Sequence, residues 1–113
     1  MAILVYVFPN ENYKNSFDAS HSYSDRGFDY TRFDPVDWYM YGKSIHDMCE
    51  TFNSLGIPIS QVSTEYGRTM IDFKYPVEDN LMSSIIESFG LYYTIARSRL
   101  VYRELFNGET SNK

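Results

Sequence analysis

Cysteine is nearly absent. Cys49 is the only one among 113 residues, which excludes an intrachain disulfide and a cysteine zinc cage. Histidine is almost as scarce: His21 and His46 are the only imidazoles, and no pair stands four apart as a helical metal site requires. No glycine-rich phosphate loop occurs among the six glycines. No apolar run approaches the length of a membrane span, and the longest at the N-terminal end, AILVYVF (2–8), lacks the basic start and small-residue cleavage site of a signal peptide. Basic residues are outnumbered, ten against fifteen acids, for a formal charge of −5. That balance opposes non-specific binding to phosphate backbones. These absences together predict a chain with no metal, no cofactor, no membrane partner and no catalytic centre, working in the cytoplasm.

Aromatic residues are abundant instead. Eleven Tyr, eight Phe and one Trp make 18% of the chain, and many Tyr must keep their hydroxyls at water or at a partner. The length predicts one domain, residues 1–107, with a polar, frayed tail at 108–113.

Along the chain, residues 2–8 read as a strand stopped by Pro9-Asn10. Residues 10–33 hold no steady period and read as a long irregular excursion. Asp34 then offers an N-cap, Pro35 suits the first helical position, and Trp38, Tyr41, Ile45, Met48, Cys49, Phe52 and Leu55 recur at helical spacing, predicting a helix over about 35–55 closed by Gly56 and Pro58. Ile57–Thr64 and Arg68–Tyr75 read as a hairpin turning at Tyr66-Gly67. Glu78 and Asp79 open a second helix with the stripe Leu81, Ile85 and Phe89, ended by Gly90, and LYYTIA (91–96) has strong strand propensity.

That order, strand, helix, strand, strand, helix, strand, predicts an α+β fold: a ferredoxin-like sandwich, with two helices on one face of an antiparallel sheet and a long insertion after the first strand. The rival reading is a three-stranded sheet with one long helix over about 77–106, because Leu81, Ile85, Phe89, Tyr92, Ala96 and Leu100 hold helical spacing through Gly90.

If Ile3, Val5 and Val7 face the helices, Leu4, Tyr6 and Phe8 face the other way. A sheet with rings on its free face resembles the RNA-recognition motif, and VYVFPN (5–10) is similar to that family's first strand. RTMIDFKY (68–75) departs from it, placing Met70 and Asp72 where stacking aromatics belong. Single-stranded nucleic-acid binding on Tyr6 and Phe8 is therefore carried as an alternative to a covered face. The covered face is taken by the excursion or by a second subunit; the second of these predicts a homodimer, with Arg97 and Arg99 as further candidates for that interface.

The segment 17–38 interleaves rings and acids. Tyr23, Phe28, Asp29, Tyr30, Phe33, Asp34 and Asp37 are the candidate partner-binding residues, since rigid aromatic anchors with a charged rim are the composition of a protein–protein hot spot. The competing reading folds those rings onto their own domain and uses the aspartates for turns and caps. A small hydrolase using His21 or His46 is the second alternative; Cys49 lies three positions from His46, but also on the apolar stripe. Small acidic chains of this composition have the look of viral or mobile-element accessory factors. The expectation is thus a non-catalytic inhibitor or regulator of a protein complex, one that handles nucleic acid among the options, located in the host cytoplasm if viral.

Overall fold

The structure, a computed structural model, describes residues 1–19, 36–65 and 67–96. Its centre is strand β1 (Ala2–Phe8), in which every residue but Ile3 is buried. Burial of both faces explains why AILVYVF is a continuous apolar run rather than an alternating one. Strand β3 (Arg68–Val77) pairs antiparallel with one side of β1, and strand β4 (Tyr92–Ala96) pairs antiparallel with the other. Strand β2 (Ile59–Glu65) adds to the far side of β3, so the sheet order is β2-β3-β1-β4. Gly67, at φ +84°, makes the turn from β2 to β3 in the left-handed region that glycine tolerates. β3 runs on through Pro76 to Val77 instead of stopping at the proline.

Helix α2 (Trp38–Ser54) and helix α3 (Asp79–Ser88) cover one face of the sheet. Asp37 caps α2, its Oδ1 accepting from the Met40 amide at 3.1 Å, so the helix starts about one turn later than the expected Asp34-Pro35 entry. Its buried face is Tyr41, Ile45, Met48 and Phe52. Trp38 and Leu55, expected on the same stripe, are 48% and 57% exposed because they lie at the two ends of the helix, beyond the sheet. The far end closes with the Gly56 amide donating to Asn53 O at 3.0 Å and the Ile57 amide to Phe52 O at 2.9 Å, which is a Schellman ending. Glu78 caps α3 by accepting from the Asn80 and Leu81 amides at 3.2 and 3.0 Å. The buried face of α3 is Met82, Ile85 and Ile86; Leu81, expected inside, is exposed.

β4 begins just after Gly90 (φ +71°) and runs in unbroken register with β1. The single long helix over 77–106 is therefore overturned where it is described: a positive φ at Gly90 breaks helical propagation, and β1 supplies hydrogen-bonding partners that an isolated helical extension lacks.

The opposite face carries an element that sequence periodicity did not reveal. Residues 11–19 form helix α1 (Glu11–Ala19), capped by Asn10, whose Oδ1 accepts from the Tyr13 amide at 3.1 Å. The first part of the expected excursion is thus regular structure. Tyr13 and Phe17, one turn apart, are the two buried residues of α1 and join Leu4, Tyr6, Phe8, Met70 and Ala96 in a second core. The Phe17 ring lies 4.8 Å from that of Tyr6 and 5.2 Å from that of Phe8, both tilted. The Arg68 guanidinium sits 5.4 Å from the Phe17 centroid. The described residues therefore make an α+β domain of four antiparallel strands and three helices, with α1 on one side of the sheet and α2 and α3 on the other.

One buried polar cluster ties α2 to the sheet. Tyr41 Oη donates to Val7 O at 2.9 Å and lies 2.7 Å from Thr69 Oγ1, which is 3.3 Å from Thr64 Oγ1. Thr69 is fully buried, so removing this hydroxyl strands polar atoms. Tyr41→Phe is expected to cost about 1–3 kcal/mol, read by urea unfolding. Burial also pushes the Tyr41 phenol far up, against a smaller lowering by Thr69. The native chain then holds a proton that the unfolded chain releases. The native advantage is intact below about pH 10 and is lost as pH rises from there toward the native pKa, by up to about 1.4 kcal/mol per pH unit per proton. Tyr41→Phe is expected to flatten that alkaline loss; burial raises Tyr13 as well, so part of the slope remains.

Candidate interaction surface

The start of α2 presents large apolar side chains to solvent. Trp38 is 48% exposed, Tyr39 79% and Met40 50%, directly after the exposed Asp37. Helical geometry causes this. Three successive residues of a first turn splay over most of the helix circumference, and only Tyr41 comes round to face the sheet. Trp38 is held in place by two edge-on ring contacts, 6.0 Å to Tyr13 of α1 and 5.9 Å to Tyr41. It therefore bridges the helices on opposite sides of the sheet while leaving about half of its surface outside. Tyr39 and Met40 are free of that duty. Both are bulky, and neither was singled out in the sequence, where helical spacing drew attention to Trp38 and Tyr41.

The sequence-derived candidates fare differently. Tyr23, Phe28, Asp29, Tyr30, Phe33 and Asp34 lie outside the described residues, as do Arg97 and Arg99. Asp37 is described, and one of its carboxylate oxygens is engaged in capping α2. Tyr6 and Phe8 are each 1% exposed, so they do not form an open sheet face. Phe17 and Tyr13 of the same chain cover them, and no base reaches those rings while α1 is docked. The covering also removes the argument that this face requires a second subunit.

His21 lies outside the described residues. His46 stands exposed on α2, with Nδ1 3.4 Å from Asp47 Oδ1 and Nε2 3.3 Å from Glu50 Oε1. Its neighbours are thus two carboxylates on its own helix rather than Cys49. Cys49 is half-buried, and desolvation pushes its thiol up, away from the thiolate a nucleophile needs. Among the described residues no group of three or more His, Cys, Asp or Glu side chains is arranged to hold a metal ion. Among them, too, no helix is long and apolar enough to cross a membrane.

A second surface lies along the outer edge of β4. There a groove of about 700 Å³ has the strand backbone from Leu91 to Ile95 as its floor. Lys14 and Asp18 of α1 wall it on one side, and Glu87 and Gly90 at the end of α3 wall it on the other. Lys14 Nζ donates to Asp18 Oδ2 at 2.6 Å, and Thr94 Oγ1 donates to Asp18 Oδ1 at 2.6 Å, pinning the α1 wall to the strand. On the other side Ser83 and Tyr93 share a 2.5 Å hydroxyl contact between α3 and β4. No sequence signal marked this groove, since one of its sides is built by the helix that periodicity missed.

No family model, no curated protein and no solved structure matches the chain.

Proposed function

We propose that the protein is a non-catalytic binding module that engages a protein partner and thereby inhibits or regulates a macromolecular complex. The observation that carries this reading is the exposed trio Trp38, Tyr39 and Met40 beside Asp37. Trp and Tyr are among the residues most enriched at interface hot spots, and large apolar side chains left exposed close together in the chain are what a docking site leaves open in the free protein. The aromatic–acidic residues Tyr23, Phe28, Asp29, Tyr30, Phe33 and Asp34 precede this trio in the chain and extend the same composition. The chain's net charge of −5 favours a basic partner surface. A cytoplasmic setting and an accessory role against a host complex belong to the same proposal. For the fold, we infer a ferredoxin-like sandwich elaborated by α1. The support is the alternation of strands and helices that remains when α1 is set aside, together with the antiparallel pairing of β1 with both β3 and β4.

The test uses the full chain as bait in a lysate, with captured proteins quantified for wild type, Tyr39→Ala and the Trp38→Ala/Tyr39→Ala double variant. A partner held through this surface is expected to fall by about thirtyfold or more in the double variant, the loss that removing a hot spot of about 2 kcal/mol produces. Tyr39 is so exposed that Tyr39→Ala is expected to leave the unfolding midpoint nearly unchanged. Identical capture by all three proteins sinks the reading.

A further inference from the structure

We propose that the outer edge of β4 is a strand-addition site that takes an extended, cationic segment of a partner protein. Among the described residues, the two edges of the sheet are built differently. β2 is blunted: its sequence ISQVSTE is mostly polar, and its pairing with β3 shifts register between Ile59 and Gln61. Bulges and polar side chains of this kind are how proteins keep an edge from recruiting another strand. β4 lacks the bulge, and Thr94 is its only polar side chain apart from the tyrosine hydroxyls. YYTIA holds no charge and no proline, and its pairing with β1 runs evenly from Phe8↔Tyr92 to Leu4↔Ala96. An evenly paired strand directs every second residue's N–H and C=O away from its neighbour, toward whatever strand comes next.

The groove along this edge decides what that strand is. Its floor is β4 itself, with Lys14 and Asp18 of α1 on one side and Glu87 and Gly90 on the other. Two copies each carrying −5 repel one another, which disfavours a second copy as the occupant. Alternate side chains of the incoming strand point to the two sides of the groove. Toward α1 they meet Thr94 and the Lys14–Asp18 pair, whose opposite charges satisfy each other. Toward α3 they meet Tyr93 and Glu87, and Glu87 has no ion-pair partner among the described residues. A Lys or Arg on that side of the incoming strand completes the pairing. Backbone bonds give such a site its affinity, and side-chain contacts at alternate positions give it selectivity.

The probe is a fluorescein-labelled peptide of alternating Val and Lys, about eight residues long, enough to span the roughly 17 Å of the five-residue edge. Binding is followed by fluorescence anisotropy with the full chain. Saturable binding is expected, about tenfold weaker when Glu replaces Lys in the peptide and absent when alternate peptide amides are N-methylated. Glu87→Lys, a change on an exposed helix position, is expected to reverse the preference between the Lys and Glu peptides. Tyr39→Ala is expected to bind the peptide as wild type does, because Tyr39 is 79% exposed and no part of the groove lining, so failure here is separable from failure of the α2 surface. Three outcomes overturn the proposal: no saturable binding, binding indifferent to N-methylation, or a dimer in light scattering that excludes the peptide and so shows a second copy in the groove.

Discussion

Replacing Phe73 by alanine is expected to lower stability by about 3–5 kcal/mol, the range for deleting a fully buried phenylalanine. Phe73 has no solvent exposure and meets Phe52 of α2 edge-on, with centroids 5.0 Å apart. It lies on β3, a central strand, in the cluster that includes Met48, Ile71, Met82 and Ile86, so the space left behind is bordered on every side by elements that hold each other in place. Collapse into the cavity is then limited, which places the cost toward the upper part of the range. Against a total stability of about 5–15 kcal/mol for a domain this size, the variant stands close to unfolding at ordinary temperature. At about 4–8 °C per kcal/mol, the thermal midpoint is expected to fall by roughly 12–40 °C. Tyr75 is the control. It follows Phe73 by two positions but is 67% exposed, so Tyr75→Ala is expected to stay within about 0.5 kcal/mol of wild type. Equal losses from the two substitutions contradict the description of where this strand's core face ends.

That contrast also marks how far the sequence could be read. Ile71, Phe73 and Tyr75 share one parity, and strand alternation alone assigns all three to the core. The structure keeps the first two and releases Tyr75, which lies where the pairing of β3 with β1 shifts register between Ala2↔Val77 and Leu4↔Asp72. The α2 stripe was legible for a similar reason and failed at similar places: Tyr41, Ile45, Met48 and Phe52 follow one face, while Trp38 and Leu55 keep the spacing but overrun the sheet beneath. In α3 two helical series overlap, one through Leu81 and Ile85, the other through Met82, Ile85 and Ile86. Spacing does not choose between them, and docking on the sheet turns the second inward. The strand over Tyr92–Ala96 was named against a helical rival with good spacing; the glycine with positive φ and the partner strand β1 decide it, and only the first is visible locally.

α1 was illegible because its signal is almost wholly tertiary. Two large apolar residues in nine, set among Asn, Lys, Ser and Asp, give little amphipathic pattern, and a helix so short is unstable alone. What makes it form is the aromatic surface of Leu4, Tyr6 and Phe8 waiting across the gap, far away in neither sequence nor space but invisible to any window of local periodicity. Composition pointed to rings and acids before α2; six of those seven candidates lie outside the described residues, and the seventh, Asp37, caps α2. The exposed Tyr39 and Met40 carried no sequence signal. The groove beside β4 needed α1 to exist before it had a wall.

Phe17→Ala tests α1 directly, and its effect is expected to be large but confined. A phenylalanine 5% exposed carries about 3–5 kcal/mol when deleted from a rigid core. α1, however, has another response open to it. Its attachments besides Phe17 include Tyr13, buried in the same cluster and edge-on to Trp38, and the Asp18 bond to Thr94 at the groove rim. Once Phe17 no longer fills the space over Tyr6 and Phe8, undocking the helix costs less than keeping a void, and the loss is capped at the free energy of that local opening. Hydrogen exchange is therefore expected to rise steeply for α1 amides while amides of α2 and β3 keep most of their protection, the reverse of the Phe73→Ala pattern. Undocking lays Tyr6, Phe8 and Leu4 open as one apolar patch, so dye binding and concentration-dependent self-association are expected to appear together with the exchange. Stacking of single-stranded nucleic acid on Tyr6 and Phe8 then becomes possible in the variant alone, and an oligonucleotide that binds wild type equally well contradicts the covering role of α1. Uniform loss of protection across all three helices contradicts it differently, by making α1 part of one cooperative core instead of a helix held to the sheet chiefly by Phe17.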